Sequence, residues 1–299
     1  MHFNFGFKQP ARELRLALRG RARANFWQQH VRRISAWASI LFFLPAVAFA
    51  QPENAGALSN VTVLTSSDTA GGLATYTVSF TPATNIPADG RIQLSFPTGF
   101  DLSNVIVASG AANMGGGLTL SSPSDSVVVL ARDGSDKSVP AGTPTGVIFS
   151  IVINRTTAKS GNLLKVETQD VLGIVIDKGN SLGFAIIPGA LHHFTLVDGL
   201  SGLNITNKRA GDNFQVLIRA RDAFDNIVTS FHNKTVALDD SMHSVAPKNV
   251  TLSNGAATAL LHLTKAQNNA RVLASANSRS GASNSFNVTA NDLAKFALS

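Results

Sequence analysis

Past residue 56 the chain alternates apolar and polar residues with a period of two, and this pattern limits the folds open to it more than any other. In Thr75-Tyr76-Thr77-Val78-Ser79-Phe80 the residues Tyr76, Val78 and Phe80 share one face, and hydroxyl residues take the other. Arg91-Ile92-Gln93-Leu94-Ser95-Phe96 repeats the pattern, and Phe214-Gln215-Val216-Leu217-Ile218-Arg219 nearly does. Such alternation suits an antiparallel strand with one buried face. No amphipathic helical window of useful length follows the leader, and Gly, Asn, Asp, Ser and Pro clusters separate short apolar runs. The expected class is all-β, built of sandwiches. Strands are expected near 60–65, 75–82, 91–97, 104–109, 126–132, 146–154, 163–169 and 182–187. A second set is expected near 193–197, 214–221, 227–231, 234–238, 249–253, 256–264, 270–276 and 284–289. Loops are expected at 110–117 and 133–145.

Leu191-x-x-Phe194-x-Leu196 returns as Leu293-x-x-Phe296-x-Leu298, 102 residues later. That spacing matches one sandwich of about 100 residues. The expected division is a leader over 1–50, a short mature N-terminus over 51–56 and a first β-sandwich domain over 57–188. A second follows over 189–290, and the start of a further, truncated repeat over 291–299. Pro188-Gly189 is too short to act as a long flexible linker, so consecutive modules are held near one another.

The formal charge is +7, with 25 basic and 18 acidic residues. Lys8, Arg12, Arg15, Arg19, Arg21, Arg23, Arg32 and Arg33 lie in the first fifty residues beside one acid, Glu13. The excess therefore sits in the leader and the remainder is neutral, so the usual inference from basic charge to nucleic acid does not apply. The leader has a basic region ending at Arg32-Arg33, an apolar run over 34–49 and an Ala48-Phe49-Ala50 cleavage site. The expected product is an exported chain beginning at Gln51, with membrane contact only through the signal peptide before cleavage. An uncleaved anchor is the alternative, although the apolar run is shorter than the roughly 20 residues of a spanning helix. Cysteine is absent. Disulfide staples, thiol catalysis and cysteine metal sites are excluded with it, and each core must hold by packing.

Few residues suggest chemistry. Gly179-Asn180-Ser181-Leu182-Gly183 fits G-x-S-x-G, but a nucleophile elbow needs a helix next, and Phe184-Ala185-Ile186-Ile187 reads as a strand. His192-His193 would point to opposite faces of a regular strand and so could not hold one ion. Asp222, Asp225 and Asn226 could offer hard oxygens to calcium, against which stands their use as turn formers. Asp239-Asp240 reads as a solvated loop. Asn-x-Ser/Thr sequons at Asn60, Asn154, Asn204, Asn233, Asn249 and Asn287 carry no claim of glycosylation. The expectation is no catalytic residue, no cofactor and no metal, with Asp222, Asp225 and Asn226 the weak calcium candidates.

Ile218-Arg219-Ala220-Arg221-Asp222-Ala223-Phe224-Asp225-Asn226-Ile227-Val228 resembles the strand and Asp-x-x-Gly-Asn turn of bacterial immunoglobulin-like surface domains of the invasin/intimin type, with Asp225 in place of Gly. Asn254-Gly255-Ala256-Ala257-Thr258-Ala259-Leu260 resembles that family's hairpin into a long strand, and Ser285-Phe286-Asn287-Val288-Thr289 its final strand. Filamin-like repeats use similar turns. The resemblance covers residues 190–290, and implies tandem immunoglobulin-like sandwiches at a bacterial cell surface or beyond, with the periplasm a further location. It implies a non-enzymatic structural or adhesive protein whose partners are host-cell or envelope proteins or glycans. The alternative is an accessory spacer or carbohydrate-binding region of a secreted enzyme whose catalytic domain lies past residue 299. Sugar platforms expose aromatics, and past the leader the chain has no Trp and only Tyr76.

Overall fold

The computed structural model describes residues 55–124 and 126–292, and every regular element among them is a strand. In chain order the first twelve are β1 (Gly56–Ala57), β2 (Ser59–Thr65), β3 (Leu73–Thr81), β4 (Arg91–Ser95), β5 (Ile106–Ala112), β6 (Leu118–Ser124), β7 (Val127–Arg132), β8 (Thr145–Ile153), β9 (Lys159–Asn162), β10 (Lys165–Gln169), β11 (Val175–Asn180) and β12 (Phe184–Ile186). The rest are β13 (His193–Asp198), β14 (Lys208–Arg209), β15 (Phe214–Arg221), β16 (Lys234–Asp239), β17 (Val245–Ala246), β18 (Asn249–Leu252), β19 (Ala256–Leu263), β20 (Gln267–Ala270), β21 (Leu273–Ala276), β22 (Arg279–Ala282) and β23 (Phe286–Thr289). The all-β sandwich class expected from the alternation is the one observed.

In the first sandwich a sheet ordered β1-β11-β10-β4-β7-β6 faces one ordered β2-β3-β8-β5, and β12 pairs β9 at one end. Tyr76, Val78, Phe80, Val147 and Phe149 meet Ile92, Leu94, Val128, Leu130 and Val166 in its core. Tyr76 is fully buried among Phe96, Phe100, Phe149 and Phe184. Such ring pairs add about 0.5–1.5 kcal/mol each beyond the area they bury. Its hydroxyl donates to Asn154 Oδ1 at 2.5 Å. Burial, partly offset by a hydrogen bond with Thr65, pushes its pKa up to about 12.

The second sandwich stacks β13-β15-β19-β17 against β18-β16-β21-β22, with β14-β23-β20 alongside. Phe214, Val216, Ile218 and Ala220 point inward from β15, as alternation requires, and meet Val236, Leu238 and Ala274. This core is a separate cluster and draws on no residue of the first.

Three local expectations need correction. The strand expected over 227–231 is a crossing segment instead. Val228 and Phe231 are both buried, and residues three apart cannot share a strand face. Turn bonds from Val228 N to Ala220 O and from Phe231 N to Val228 O hold the segment as it passes between sheets. Asn254 and Gly255 take the expected positive φ, 50° and 78°, but only the Ser253–Ala256 bridge forms across the turn. Beyond it β18 and β19 join opposite sheets. The loop expected over 110–117 gives its first residues to β5, and strands β1, β6, β9, β11, β14, β17 and β22, with most of β20, lie outside the expected ranges.

Candidate functional site

The turn after β15 is built around a buried carboxylate. Asp222 is 1% exposed. Its Oδ1 accepts from Phe224 N at 2.8 Å and Asn226 N at 2.9 Å. Its Oδ2 accepts from Gly189 N and Asn226 Nδ2, both at 2.9 Å. Burial raises the carboxyl pKa, but the bonds from Asn226, Gly189 and Phe224 outweigh it and hold the group below its ordinary value. Asp225 stands at φ 64°, where an Asp is tolerated better than most side chains. This is the position where the surface-domain family usually has Gly.

The outer side of this turn faces the first sandwich. Asn226 Oδ1 accepts from Ala158 N at 2.8 Å, and Asn226 Nδ2 donates to Thr156 O at 2.7 Å. The Phe224 ring lies on Gly71, so close that a Cβ there would sit 2.3 Å from ring carbons. Gly71 also has φ +66°, so it is glycine for two reasons. The Asp222 bond to Gly189 ties the same turn to the connector. The two sandwiches are thus joined by a turn that docks as a key, with its socket made by residues 69–72 and 155–158.

Within the described residues, the candidates for chemistry read from the sequence have the following places. Asp222 and Asn226 spend their side-chain oxygens on N–H donors, and Asp225 is exposed with Oδ1 at 3.1 Å from His193 Nε2. The alternation argument about the histidines does not hold. His192 precedes β13, and its Nδ1 lies 3.2 Å from His193 Nδ1. Among the described residues no three His, Asp or Glu side chains gather in a metal-like cluster. Ser181 is buried and accepts from Leu164 N at 3.0 Å. The strand β12 follows it, not a helix. Asp239-Asp240 is not a solvated loop: Asp240 is 1% exposed and accepts from Ser244 N, Val245 N, Ser244 Oγ and Gln267 Nε2. Asp239 beside it pairs with His243 at 2.7 Å and Lys248 at 3.2 Å, rimming a shallow groove of about 730 Å³ on the outer face of β16 and β21. Ala48, Ala50 and Gln51 lie outside the described residues, as do Leu293, Phe296 and Leu298.

Sequence reasoning missed Gly71, Thr156 and Ala158, which work through backbone atoms or a missing side chain. It also missed Arg132, which is 5% exposed. That guanidinium donates to Pro87 O at 2.6 Å, Lys137 O at 2.7 Å, and Ile86 O and Gly115 O at 3.4 Å, pinning three loops.

No family model matches the chain. No curated protein matches it either. Among solved structures it is similar to the D0-D1 domain of intimin, at 14% identity over 78% of this chain and 98% of that one, with a TM-score of 0.26. It is similar to the major pilin SpaD of Corynebacterium diphtheriae at 14% identity, covering 76% and 58% of the two chains, TM-score 0.32. A third similarity is to the BspA_C_mut structure, 10% identical over 76% and 98%, TM-score 0.35. The two cores and the sheet order define the fold independently of these likenesses. No helix among the described residues is long and apolar enough to cross a membrane.

Proposed function

We propose that the chain is an exported, non-enzymatic structural or adhesive protein of the bacterial cell surface. Sandwiches over 57–188 and 189–290 act as stacked spacers in a tandem array, and exposed loops meet envelope or host proteins or glycans. The observation that carries this reading is the keyed junction. A buried carboxylate organises a turn whose Asn226 and Phe224 grip the preceding sandwich, which suits a part that transmits position and force. Similarity to intimin and a pilin is in keeping with that role.

The test uses the absence of native cysteine. Spin labels at Thr62→Cys and Thr258→Cys, on exposed positions of the two sandwiches, should give one narrow distance distribution. Asn226→Ala combined with Phe224→Ala should broaden it. A broad distribution in the natural chain would defeat the spacer reading. Intact mass of the protein recovered outside the cytoplasm should place its first residue at Gln51; a retained leader would defeat the cleavage step, and recovery of the protein only in the cytoplasm would defeat export.

A further inference from the structure

The socket that receives the key is built twice. In the first sandwich Ala70 N donates to Ile187 O at 2.8 Å, Gly71 N to Arg155 O at 3.1 Å and Gly72 N to Thr69 O at 3.0 Å. In the second, Ala210 N donates to Thr289 O at 2.8 Å, Gly211 N to Leu263 O at 2.8 Å and Asp212 N to Arg209 O at 3.1 Å. Thr69 bridges Ile187 in parallel, and Arg209 pairs Thr289 in parallel. Lys159 pairs Ile186 as Gln267 pairs Val288. This register puts Thr264 where Thr156 stands and Ala266 where Ala158 stands, the two positions that Asn226 grips. Gly71 and Gly211 both have positive φ, +66° and +87°. Gly71 lies under Phe224. At Gly211 the described atom within 4 Å of a built Cβ is Asn291 Nδ2, at 4.0 Å.

The key, by contrast, is built once. The corresponding turn of the first sandwich is Thr81-Pro82-Ala83-Thr84-Asn85-Ile86, with Pro82 in place of the Asp222 carboxylate. Its Asn85 Oδ1 accepts from Ala141 N of the same sandwich at 2.7 Å. The first sandwich therefore carries a socket and no key, while the second carries both. That is the polarity of a stacked array with a dedicated first unit.

We infer that the end of the second sandwich formed by residues 209–212, 263–266 and 289–292 is a docking surface for a third sandwich. Its occupant carries an Asp-x-aromatic-x-Asn turn after its second strand. The Asn amide bonds Thr264 O and Ala266 N, and the aromatic ring covers Gly211. By the same register Asp292, which pairs with Arg209 at 2.6 Å, occupies the position that Ala190 holds at the existing junction. This inference rests on the array reading and specifies which face continues the array.

A chain in which residues 191–292 follow Asp292 a second time tests it. Labels at Thr258→Cys and at the same position of the added copy should give a distribution as narrow as that across the native junction. Asn226→Ala with Phe224→Ala in the added copy alone should broaden it about as much as those changes broaden the native junction. The second core uses only its own residues, and amide spectra that reproduce the native second sandwich will show that the added copy is folded. A second measurement needs no added copy. Residues 209–212 and 263–266 are grafted in place of 69–72 and 155–158, and the native junction should stay narrow. A broad distribution at the new junction of a folded chain, or a junction loosened by the graft, would overturn the inference. If the native junction is broad as well, the spacer reading fails with it.

Discussion

The two sandwiches close the same way and begin differently. Ser181 Oγ accepts from Leu164 N and Ser181 N donates back to Leu164 O. Ser283 does both with Val272 in the second sandwich. The sheet-bridging frame at the outgoing end is thus common to both. At the opposite end the first sandwich is stapled by a buried cation, Arg132, together with the buried Asp177, which accepts from Thr84 N at 2.8 Å, and the second is stapled by a buried anion alone, Asp222. The cation gathers backbone carbonyls of its own loops. The anion gathers N–H groups from its own turn and from the incoming connector, which leaves Asn226 and Phe224 facing the neighbouring sandwich. A shared frame with different ends is how a repeated fold takes on separate roles.

The sharpest break in that comparison is Asp222→Ala. Four N–H groups lose their acceptor, and a loss of about 3 kcal/mol is expected from the second sandwich alone. For a domain of this size that lowers the midpoint by roughly 12–20 °C. Tyr76 is the sole Tyr in the chain, and both Trp residues lie before residue 51, so in a chain that begins at Gln51 tyrosine emission reports the first sandwich only. Circular dichroism should show the early transition and tyrosine emission should not. Arg132→Met should reverse the pattern with a smaller loss, about 2 kcal/mol, because under-bonded carbonyls cost less than orphaned N–H groups. Equal effects of either change on both probes would mean that the sandwiches do not unfold separately.

Acid should separate the two bodies in the same direction. Asp222 and Asp240 are buried, which raises their pKa values, yet their hydrogen bonds win and hold both below the ordinary 3.8. A depressed folded pKa contributes stability above the unfolded value, which is lost as pH falls through the folded one. The carboxyls shifted down in the first sandwich, Asp101 and Asp133, are fully exposed and carry little of its stability. The second sandwich should therefore melt first as pH drops below 3.8, seen as circular dichroism lost ahead of tyrosine emission. Simultaneous loss would remove the two buried aspartates as the cause.

The faces of most strands were legible in the sequence because a half-buried sheet writes its period directly into the side chains. Tyr76, Val78, Phe80, Ile92 and Leu94 all point where alternation places them. The 222–226 turn was legible as a turn, since Asp and Asn at that spacing satisfy their own backbone. Its docking was not. Thr156 and Ala158 contribute main-chain atoms, and Gly71 contributes the lack of a side chain, so no residue type signals them. Arg132 reads as the charged end of an alternating strand, and only the converging carbonyls reveal a buried staple. Asp240 misled for a similar reason. Its donors Ser244, Val245 and Gln267 lie on a turn and the two strands β17 and β20, whose approach the sequence does not encode in any period. The histidine pair shows that alternation arguments stop at strand ends.

Smaller effects should show the likeness between the sandwiches. Ser181→Ala and Ser283→Ala each remove one acceptor from one buried N–H, so each should cost its own sandwich about 1–2 kcal/mol. The two losses should agree within about 1 kcal/mol, since the acceptor role and burial are alike, with Ser283 the larger because its Oγ also donates to Asn284 O at 2.8 Å. Denaturant midpoints followed by tyrosine emission for the first and by circular dichroism for the second will measure them. A loss confined to one serine would show that the common frame is geometric only.

The smallest expected effect concerns calcium. To enter the 222–226 turn, the ion would have to displace N–H donors from both Asp222 oxygens and break the Asn226 contacts with Thr156 and Ala158. Asp225, exposed beside His193, would be the one candidate ligand open to solvent, against the roughly 6–8 oxygens calcium takes. Melting in millimolar calcium and in excess chelator should therefore give the same second-sandwich midpoint. Saturation at about 100 times the dissociation constant would add about 2.7 kcal/mol, a rise of roughly 10–20 °C. A rise of that size, confined to the circular dichroism transition and abolished by Asp225→Ala, would make the turn a metal site first and a docking key second.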